Sequence, residues 1–406
     1  MISARVVYQE LRSFITSSYI LKISVNPFCS SSIGGGGGEE EHVYSDVPRP
    51  GKKWERKPYP TPMKTLIRRA KSQKQLQKEN PCRIIEKAPD NGLLVPELVD
   101  VAQHVYLARD SLLRGLSLLF HFHADTICVH RCRFCREVHI GQTGHEIKTC
   151  EGSKGASRNA LHTWRRGGIR DIIYFPKCYH IYDRAMNPRV GHKERFETPR
   201  LPAVVELCIQ AGLDLQNYPT KRRSKPVYSI EGRVVDFDPT EDDDGQSFIT
   251  IADNNNTIMF SEEDSMSELA TKTLQSYLEM KIGVEEMMKE YITWTCGYCT
   301  TVQVGPKGHK VRGCKATAHQ YRDGLHAWQE ATVDDLIGPN YVWHVSSSRP
   351  RRSPLELKNE LKRFYGKAPA VVELCVQMGA PVPPQYMSMM RLDVVSPSLD
   401  EYDLVA

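Results

Sequence analysis

Apolar residues recur at helical spacing in two long stretches of the chain. From Pro96 to Phe120, Leu98, Val101, Val105, Ala108, Leu112, Leu116 and Leu119 fall on one face, with Pro96 at the first turn, where its missing N–H loses no hydrogen bond. From Ser267 to Tyr291, Leu269, Leu274, Leu278, Ile282 and Met287 predict a second amphipathic helix. Strand signals are short by comparison. Phe248–Ile251 and Thr257–Phe260 can pair as a hairpin around Asn254-Asn255-Asn256. The longest apolar run, Leu112 to Phe122, is broken by Arg114 and falls short of the roughly 20 residues a membrane span needs, so no membrane partner is expected. Each amphipathic helix is followed by a cysteine-rich stretch.

Those stretches are two copies of one unit. Cys132, Cys135, His145, Cys150, His162 and His180 recur as Cys296, Cys299, His309, Cys314, His326 and His344, each 164 positions further on, with no gap. Gly141, Gly144, Leu161, Trp164 and Asp171 recur at the same offset as Gly305, Gly308, Leu325, Trp328 and Asp335. Pro202-Ala-Val-Val-Glu-Leu-Cys208 returns as Pro369-Ala-Val-Val-Glu-Leu-Cys375 after a further shift of three. The unit is domain-sized, which makes this a tandem duplication rather than a solenoid.

Two cysteines separated by two residues can present both thiolates to one metal across a tight turn. A His and a Cys five positions apart on a glycine-led loop can complete the set. The pattern C-x2-C-x9-H-x4-C occurs in both copies. The expected ligands are therefore Cys132, Cys135, His145 and Cys150 in the first copy and Cys296, Cys299, His309 and Cys314 in the second. Zinc accepts such a Cys3His set in tetrahedral geometry, and four protein ligands leave no open position, so two structural Zn2+ ions are expected rather than a catalytic one. The Gly-His-x4-Cys half resembles that of retroviral-type zinc knuckles, with a longer loop between the ligand pairs. His162 and His326, each two residues before a recurring Trp, are the alternative fourth ligands. His180 and His344 read as hydrogen-bonding residues. Cys208 and Cys375 lie on apolar Val-Val-x-Leu-Cys faces and read as core, as do Trp164 and Trp328. Cys128 and Cys178 do not recur, their counterparts being Ile292 and Val342, and fall outside the shared site.

The net charge of +5 is unevenly spread. From Arg49 to Gln77 ten bases accompany one acid, and bases also exceed acids around both cysteine-rich stretches. Pro226 to Thr295 carries four bases and sixteen acids. Such asymmetry points to a polyanionic partner for the basic parts. The candidate contacts are Arg131, Arg133, Arg136, Lys148, Arg165, Arg166 and Arg170 in the first copy, and Lys307, Lys310, Arg312, Lys315, Arg349, Arg351 and Arg352 in the second. Phe134 and Tyr298, between the paired cysteines, are placed to stack on unpaired RNA bases. The first 32 residues lack a secretory core and carry Arg5, Arg12 and Lys22 against the single acid Glu10, with Val6, Val7, Leu11, Phe14 and Ile15 on one face. That reads as an organelle presequence, mitochondrial with the chloroplast as the alternative. A reducing matrix would leave the twelve cysteines as thiols, free for metal.

The expected organisation is a presequence and glycine linker over 1–38 and a basic, proline-rich region over 39–94. A first module with its leading helix follows over 95–216, then an acidic linker over 217–265, a second module over 266–382 and a tail over 383–406. The expected fold class is α+β or mainly α, with two tandem zinc-binding Cys/His modules and long loops.

Lys57-Pro-Tyr-Pro-Thr-Pro-Met63, Leu66-Ile-Arg-Arg-Ala-Lys71, Asn91-Gly-Leu-Leu-Val-Pro-Glu-Leu98 and the two Cys/His units together resemble the plant APO proteins, named for accumulation of photosystem one. The resemblance spans about residues 44 to 382. It implies two APO domains, a plant organelle, zinc-dependent RNA binding, and a role in splicing group II intron transcripts, with other splicing factors as further partners. It implies neither an enzyme nor a small-molecule substrate. Two other readings remain open at this point. An iron–sulfur assembly or carrier protein also uses cysteine clusters, though more often with four Cys. A zinc-dependent nuclease needs an open metal position and a general base, for which His162 or His180 would have to serve.

Overall fold

In the computed structural model the described residues are 56–79, 84–87, 93–122, 128–230, 233–236, 258, 260–261, 264–316, 323–345 and 357–390. The expected presequence and glycine linker, the acidic turn at 241–245, nearly all of the expected hairpin, and Arg349, Arg351 and Arg352 lie outside them.

In chain order, helix α1 (Met63–Glu79) and strand β1 (Ile84–Lys87) precede the long helix α2 (Pro96–Phe122). The first copy then runs through β2 (Val129–Cys132), β3 (Val138–Ile140), β4 (Trp164–Arg166), the short α3 (Ile169–Ile172), β5 (Lys177–Tyr179), β6 (Arg200–Pro202) and α4 (Ala203–Ala211). After β7 (Val227–Ile230) and β8 (Arg233–Val235) comes the second long helix, α5 (Met266–Glu290). The second copy repeats the series as β9 (Thr293–Cys296), β10 (Val302–Val304), β11 (Trp328–Glu330), α6 (Val333–Ile337), β12 (Tyr341–Trp343), β13 (Lys367–Pro369) and α7 (Ala370–Gln377). The class is α+β, built from helices and small antiparallel sheets.

Both long helices form where the apolar period places them. Leu98, Val105, Ala108, Leu112, Leu116 and Leu119 are buried along α2. Helix α5 opens on a reciprocal cap: the Ser265 N–H donates to Glu268 Oε2 (2.9 Å) and the Glu268 N–H to Ser265 Oγ (3.3 Å). Its buried stripe is Leu269, Thr273, Tyr277, Met280, Val284 and Met287. Ile282, expected on that stripe, is 64% exposed. At about 100° per residue it projects from the opposite side of the helix from Met280 and Val284, so its apolar character does not report the packed face. The two helices approach closely at Gly115, where a Cβ would stand 2.3 Å from Thr273 Oγ1.

The duplication extends to strand register. In β3-β2-β4, Val129 pairs Ile140 and Cys132 pairs Trp164; in β10-β9-β11, Val304 pairs Thr293 and Cys296 pairs Trp328. The strand pairs β5-β6 and β12-β13 likewise match, and each runs straight into its apolar helix, α4 or α7. Among the described residues, the sheet β1-β7-β8 has no partner by the repeat.

The compact units cut across the repeats. One gathers segments 1–102, 176–252 and 285–336, the other 103–175, 253–284 and 337–406. Each therefore joins the Cys/His sheet of one copy to the strand pair and helix of the other. In the first unit β10 packs on β5 and α4. There the Gln303 amide completes the strand backbone, its Nε2 donating to Tyr179 O (2.8 Å) and its Oε1 accepting from the Tyr179 N–H (3.2 Å). In the second unit β3 packs on β12 and α7, with Gln377 Nε2 donating to Ile140 O (3.1 Å) and Trp343 Nε1 to Glu137 Oε1 (3.1 Å). The cause is burial. Residues Ala203–Ala211 of α4 are all buried, and the apolar backs of β3 and β10 need such a surface.

A carboxylate lies inside each apolar helix, and the recurring histidines answer it. Glu206, fully buried, takes His180 Nδ1 at 2.8 Å, Arg184 Nη2 at 2.5 Å and Gln210 Nε2 at 2.9 Å. Glu373 takes His344 Nδ1 at 2.7 Å, the Val345 N–H at 3.0 Å and Gln377 Nε2 at 2.6 Å. Breaking such a buried pair costs about 3–5 kcal/mol, because it strands a charge.

Because each unit draws on both copies, a chain cut within 241–252 should give halves that do not fold separately. Circular dichroism and amide proton dispersion should report unfolded fragments alone and a folded one-to-one complex on co-expression. A separate half that melts cooperatively and keeps its metal would contradict the interleaving.

Candidate metal centres

Strand β2 ends on Cys132, and the turn Arg133–Arg136 returns the chain into β3. The turn closes when the Cys132 N–H donates to Glu137 O (2.9 Å), and the same bond recurs from Cys296 to Thr301 O (2.9 Å). The Phe134 N–H points at Cys132 Sγ (3.4 Å) and the Glu137 N–H at Cys135 Sγ (3.4 Å). Backbone donors aimed at sulfur favour the thiolate, which is the form a metal takes. The third cysteine is anchored by its own backbone, Cys150 N–H to Ala160 O and Cys314 N–H to Gly324 O, both 2.9 Å.

Three sulfurs and one ring nitrogen converge in each copy: Cys132, Cys135, Cys150 and His162 in the first, Cys296, Cys299, Cys314 and His326 in the second. All donor atoms of a set lie within 4.8 Å of one another, and each set can hold a metal ion. Cys132 Sγ and Cys150 Sγ are 3.9 Å apart. The Nδ1 atoms of His162 and His326 stand 3.4 Å and 3.3 Å from the sulfurs of Cys135 and Cys299. Tetrahedral coordination with metal–sulfur bonds of about 2.3 Å puts sulfurs about 3.8 Å apart, so the donors fit such an ion.

Protonation preferences point the same way. Burial opposes ionisation of Cys132, but donors from Phe134 and Cys135 outweigh it and hold the thiol below its ordinary value. Burial and the neighbouring Cys132 push Cys135 up to about 12. The second set splits alike: Cys314 is pulled down through its hydrogen bonds with Cys296 and Cys299, and Cys299 is pushed up by its hydrogen bonds with Cys296 and Cys314. Thiols packed this closely cannot all ionise unless a cation stands between them. Burial and His145 lower His162 to about 4, which keeps the imidazole neutral, as a ligand must be, whereas against burial the hydrogen bonds with Cys296 and Cys314 raise His326.

His145 and His309, expected from spacing as fourth ligands, lie outside these donor groups. Each is buried, and its Nδ1 accepts a backbone N–H two residues on, from Ile147 (3.2 Å) or Val311 (3.1 Å). Each ring stands edge-to-face on the recurring tryptophan, with centroids 4.7 Å from Trp164 and 4.8 Å from Trp328. The preceding glycine is obligatory for that stack: a Cβ on Gly144 or Gly308 would stand 2.0 Å from the indole. The Gly-His pair thus recurs because it packs under the tryptophan. His162 is oriented instead by Thr149, whose Oγ1 lies 3.0 Å from its Nε2, leaving Nδ1 toward the sulfurs.

Of the candidate basic residues, Arg133, Arg136, Lys148, Arg165, Arg166 and Arg170 are exposed around the first sheet, and Arg131 pairs with Asp171 at 2.9 Å. In the second copy Lys307, Arg312 and Lys315 are exposed, Arg312 pairing with Asp323 at 2.8 Å, and Lys310 is half-buried. Sequence reasoning missed Arg158. Its Nη2 lies 3.4 Å from Cys150 Sγ and its guanidinium 3.8 Å from the centre of the Phe134 ring. Its recurrence as Arg322, at the offset of 164 that relates the cysteines, is the signal that would have found it.

A family profile described as "APO RNA-binding" matches residues 37–236 and 255–397. The chain belongs to the APO RNA-binding family. It is 59% identical over 91% of its length to "APO protein 3, mitochondrial" of Arabidopsis thaliana, covering 91% of that protein. It is also 42% identical to "APO protein 2, chloroplastic" and 38% identical to "APO protein 1, chloroplastic" of the same organism. Those matches cover 87% and 89% of this chain and 80% and 83% of the relatives. No solved structure matches it. The two matched APO segments each carry one Cys/His set, so the duplication of the family domain and of the donor set coincide.

The division of roles between the histidines is open to direct measurement. His162→Ala should halve the metal bound per chain after mild chelation, as should Cys132→Ser. His145→Ala should retain the metal while lowering stability by about 2 kcal/mol through lost packing. Elemental analysis with thermal melts separates the two; metal loss from His145→Ala and not from His162→Ala would reverse the assignment.

Proposed function

We propose that the protein is a mitochondrial RNA-binding factor that uses two structural zinc ions and promotes splicing of group II introns, without chemistry of its own. The observation that carries this reading is the match of both halves of the chain to an RNA-binding family profile. The 59% identity to a relative named as mitochondrial supports the compartment, in line with the basic, acid-poor N-terminus. Zinc is the metal that a tetrahedral Cys3His set selects by softness and geometry. Its part is to cross-link a sheet whose strands are too short to hold themselves, so that Cys132, Cys135, Cys150 and His162, and their counterparts, present a fixed surface to RNA.

Four protein donors leave no position for an activated water, which argues against a nuclease. His180, a candidate base for that chemistry, is committed in the core to Glu206 and, through Nε2, to Pro219 O at 2.9 Å. Two Cys3His sets also suit zinc better than clusters, which more often take four cysteines. No helix among the described residues is long and apolar enough to cross a membrane.

Purified, zinc-loaded protein should bind group II intron RNA and lose that binding on chelation. With about five phosphate contacts, affinity should fall about 100-fold between roughly 50 and 200 mM salt. In mitochondria depleted of the protein, unspliced intron-containing precursors should accumulate. A brown, iron-containing protein, or RNA affinity indifferent to both chelator and salt, would point elsewhere.

A further inference from the structure

The two Cys/His sheets share a register and differ in what covers them. In the second copy, the segment Arg56–Thr61 with α1 straps the β11 edge and the adjoining turn. The Lys57 N–H donates to Gly297 O (2.7 Å), inside the turn between the paired cysteines. Lys57 Nζ reaches Thr295 Oγ1 (3.2 Å) and Asp335 Oδ1 (2.9 Å). Gln329 Nε2 donates to Pro58 O (3.3 Å), and Glu330 takes Thr61 Oγ1 and Arg69 Nη1. The strap needs the glycine: a Cβ on Gly297 would stand 3.3 Å from Arg56 Cγ and 3.0 Å from Gln329 Oε1.

At the homologous positions the first copy has the opposite chemistry. Thr295, Gly297, Gln329 and Glu330 correspond to Arg131, Arg133, Arg165 and Arg166. Arg131 reaches Asp171 at 2.9 Å, as Lys57 reaches its counterpart Asp335, so the cation is supplied from within the sheet. Arg133 carries a side chain where the strap would cross. Arg133, Arg165 and Arg166 are exposed, and the first two pair with no carboxylate among the described residues. Phe134 beside them is half-buried, with the Arg158 guanidinium over its ring.

We propose that RNA docks on the first Cys/His sheet along its β4 edge, at Arg133, Arg165 and Arg166, and that the same edge of the second is closed by the chain's own N-terminal segment. This rests on the RNA-binding reading above and assigns it to one copy. The occupant is single-stranded RNA. Three guanidiniums recognise its phosphates, and the aromatic and guanidinium planes of Phe134 and Arg158 offer stacking to an unpaired base. The charge at positions 133, 165 and 166 is +3, against −1 at their counterparts 297, 329 and 330.

The test uses the full zinc-loaded chain and a fluorescent single-stranded oligoribonucleotide, read by anisotropy across a salt series. The triple variant Arg133→Ala, Arg165→Ala, Arg166→Ala should bind at least about tenfold more weakly, with a salt slope shallower by about 2. Metal content and melting temperature should match the parent. In the parent, photo-crosslinks to RNA should fall on residues 133–136 and not on 297–300. A triple variant that binds within twofold of the parent, or crosslinks equally strong at 297–300, overturns the assignment while leaving RNA binding intact. A parent protein that binds no RNA fails the broader reading instead. The crosslink map on the parent decides the matter should the variant not fold.

Discussion

Three sulfurs and an imidazole nitrogen held within 4.8 Å of one another form an assembly that repels itself once the thiols ionise, and a divalent cation held among them would reconcile them. The surrounding sheet is built to that constraint. Its strands are three or four residues long and would be marginal alone. Backbone donors aim at the sulfurs, a glycine makes room for the indole, and a buried histidine fills the space behind the ligand imidazole. Each of these positions the donors, and none supplies the cross-link itself.

The same economy explains why the copies interleave. A three-stranded sheet with Cys/His donors gathered on it still has an apolar back, Val138 and Ile140 in one copy, Val302 and Val304 in the other. The helices that cover those backs, α7 and α4, come from the opposite copy and each carries a buried carboxylate fixed by histidine and glutamine. The duplicated gene segment therefore did not produce two independent beads. Each compact unit is a composite, and selection on either copy acts on both.

Much of this was legible in the residues. The constant offset of 164 exposed the repeat, and the structure carries it down to strand register. The apolar period placed α2 and α5 within a few residues. Ile282 misled because a single apolar residue on the solvent side of a helix is ordinary. The fourth donor was ambiguous because spacing cannot distinguish a histidine that faces the sulfurs from one that packs against tryptophan; His145 and His162 recur equally faithfully. Interleaving left no trace, since homologous halves are interchangeable in pattern. Nor did Lys57-Pro-Tyr-Pro reveal its target, which lies more than 230 residues away and is recognised through the backbone of Gly297 and the side chains of Thr295 and Asp335.

The two Cys/His sheets share their donors and differ at their edges, one arginine-rich and the other strapped. On this account both centres are closed Cys3His sites. Zinc K-edge X-ray absorption of the purified chain is the most direct check. The account predicts two equivalents of zinc per chain, each with three sulfurs at about 2.3 Å and one nitrogen at about 2.0 Å. A spectrum requiring a water oxygen, fewer than three sulfurs, or a metal–metal vector would contradict it.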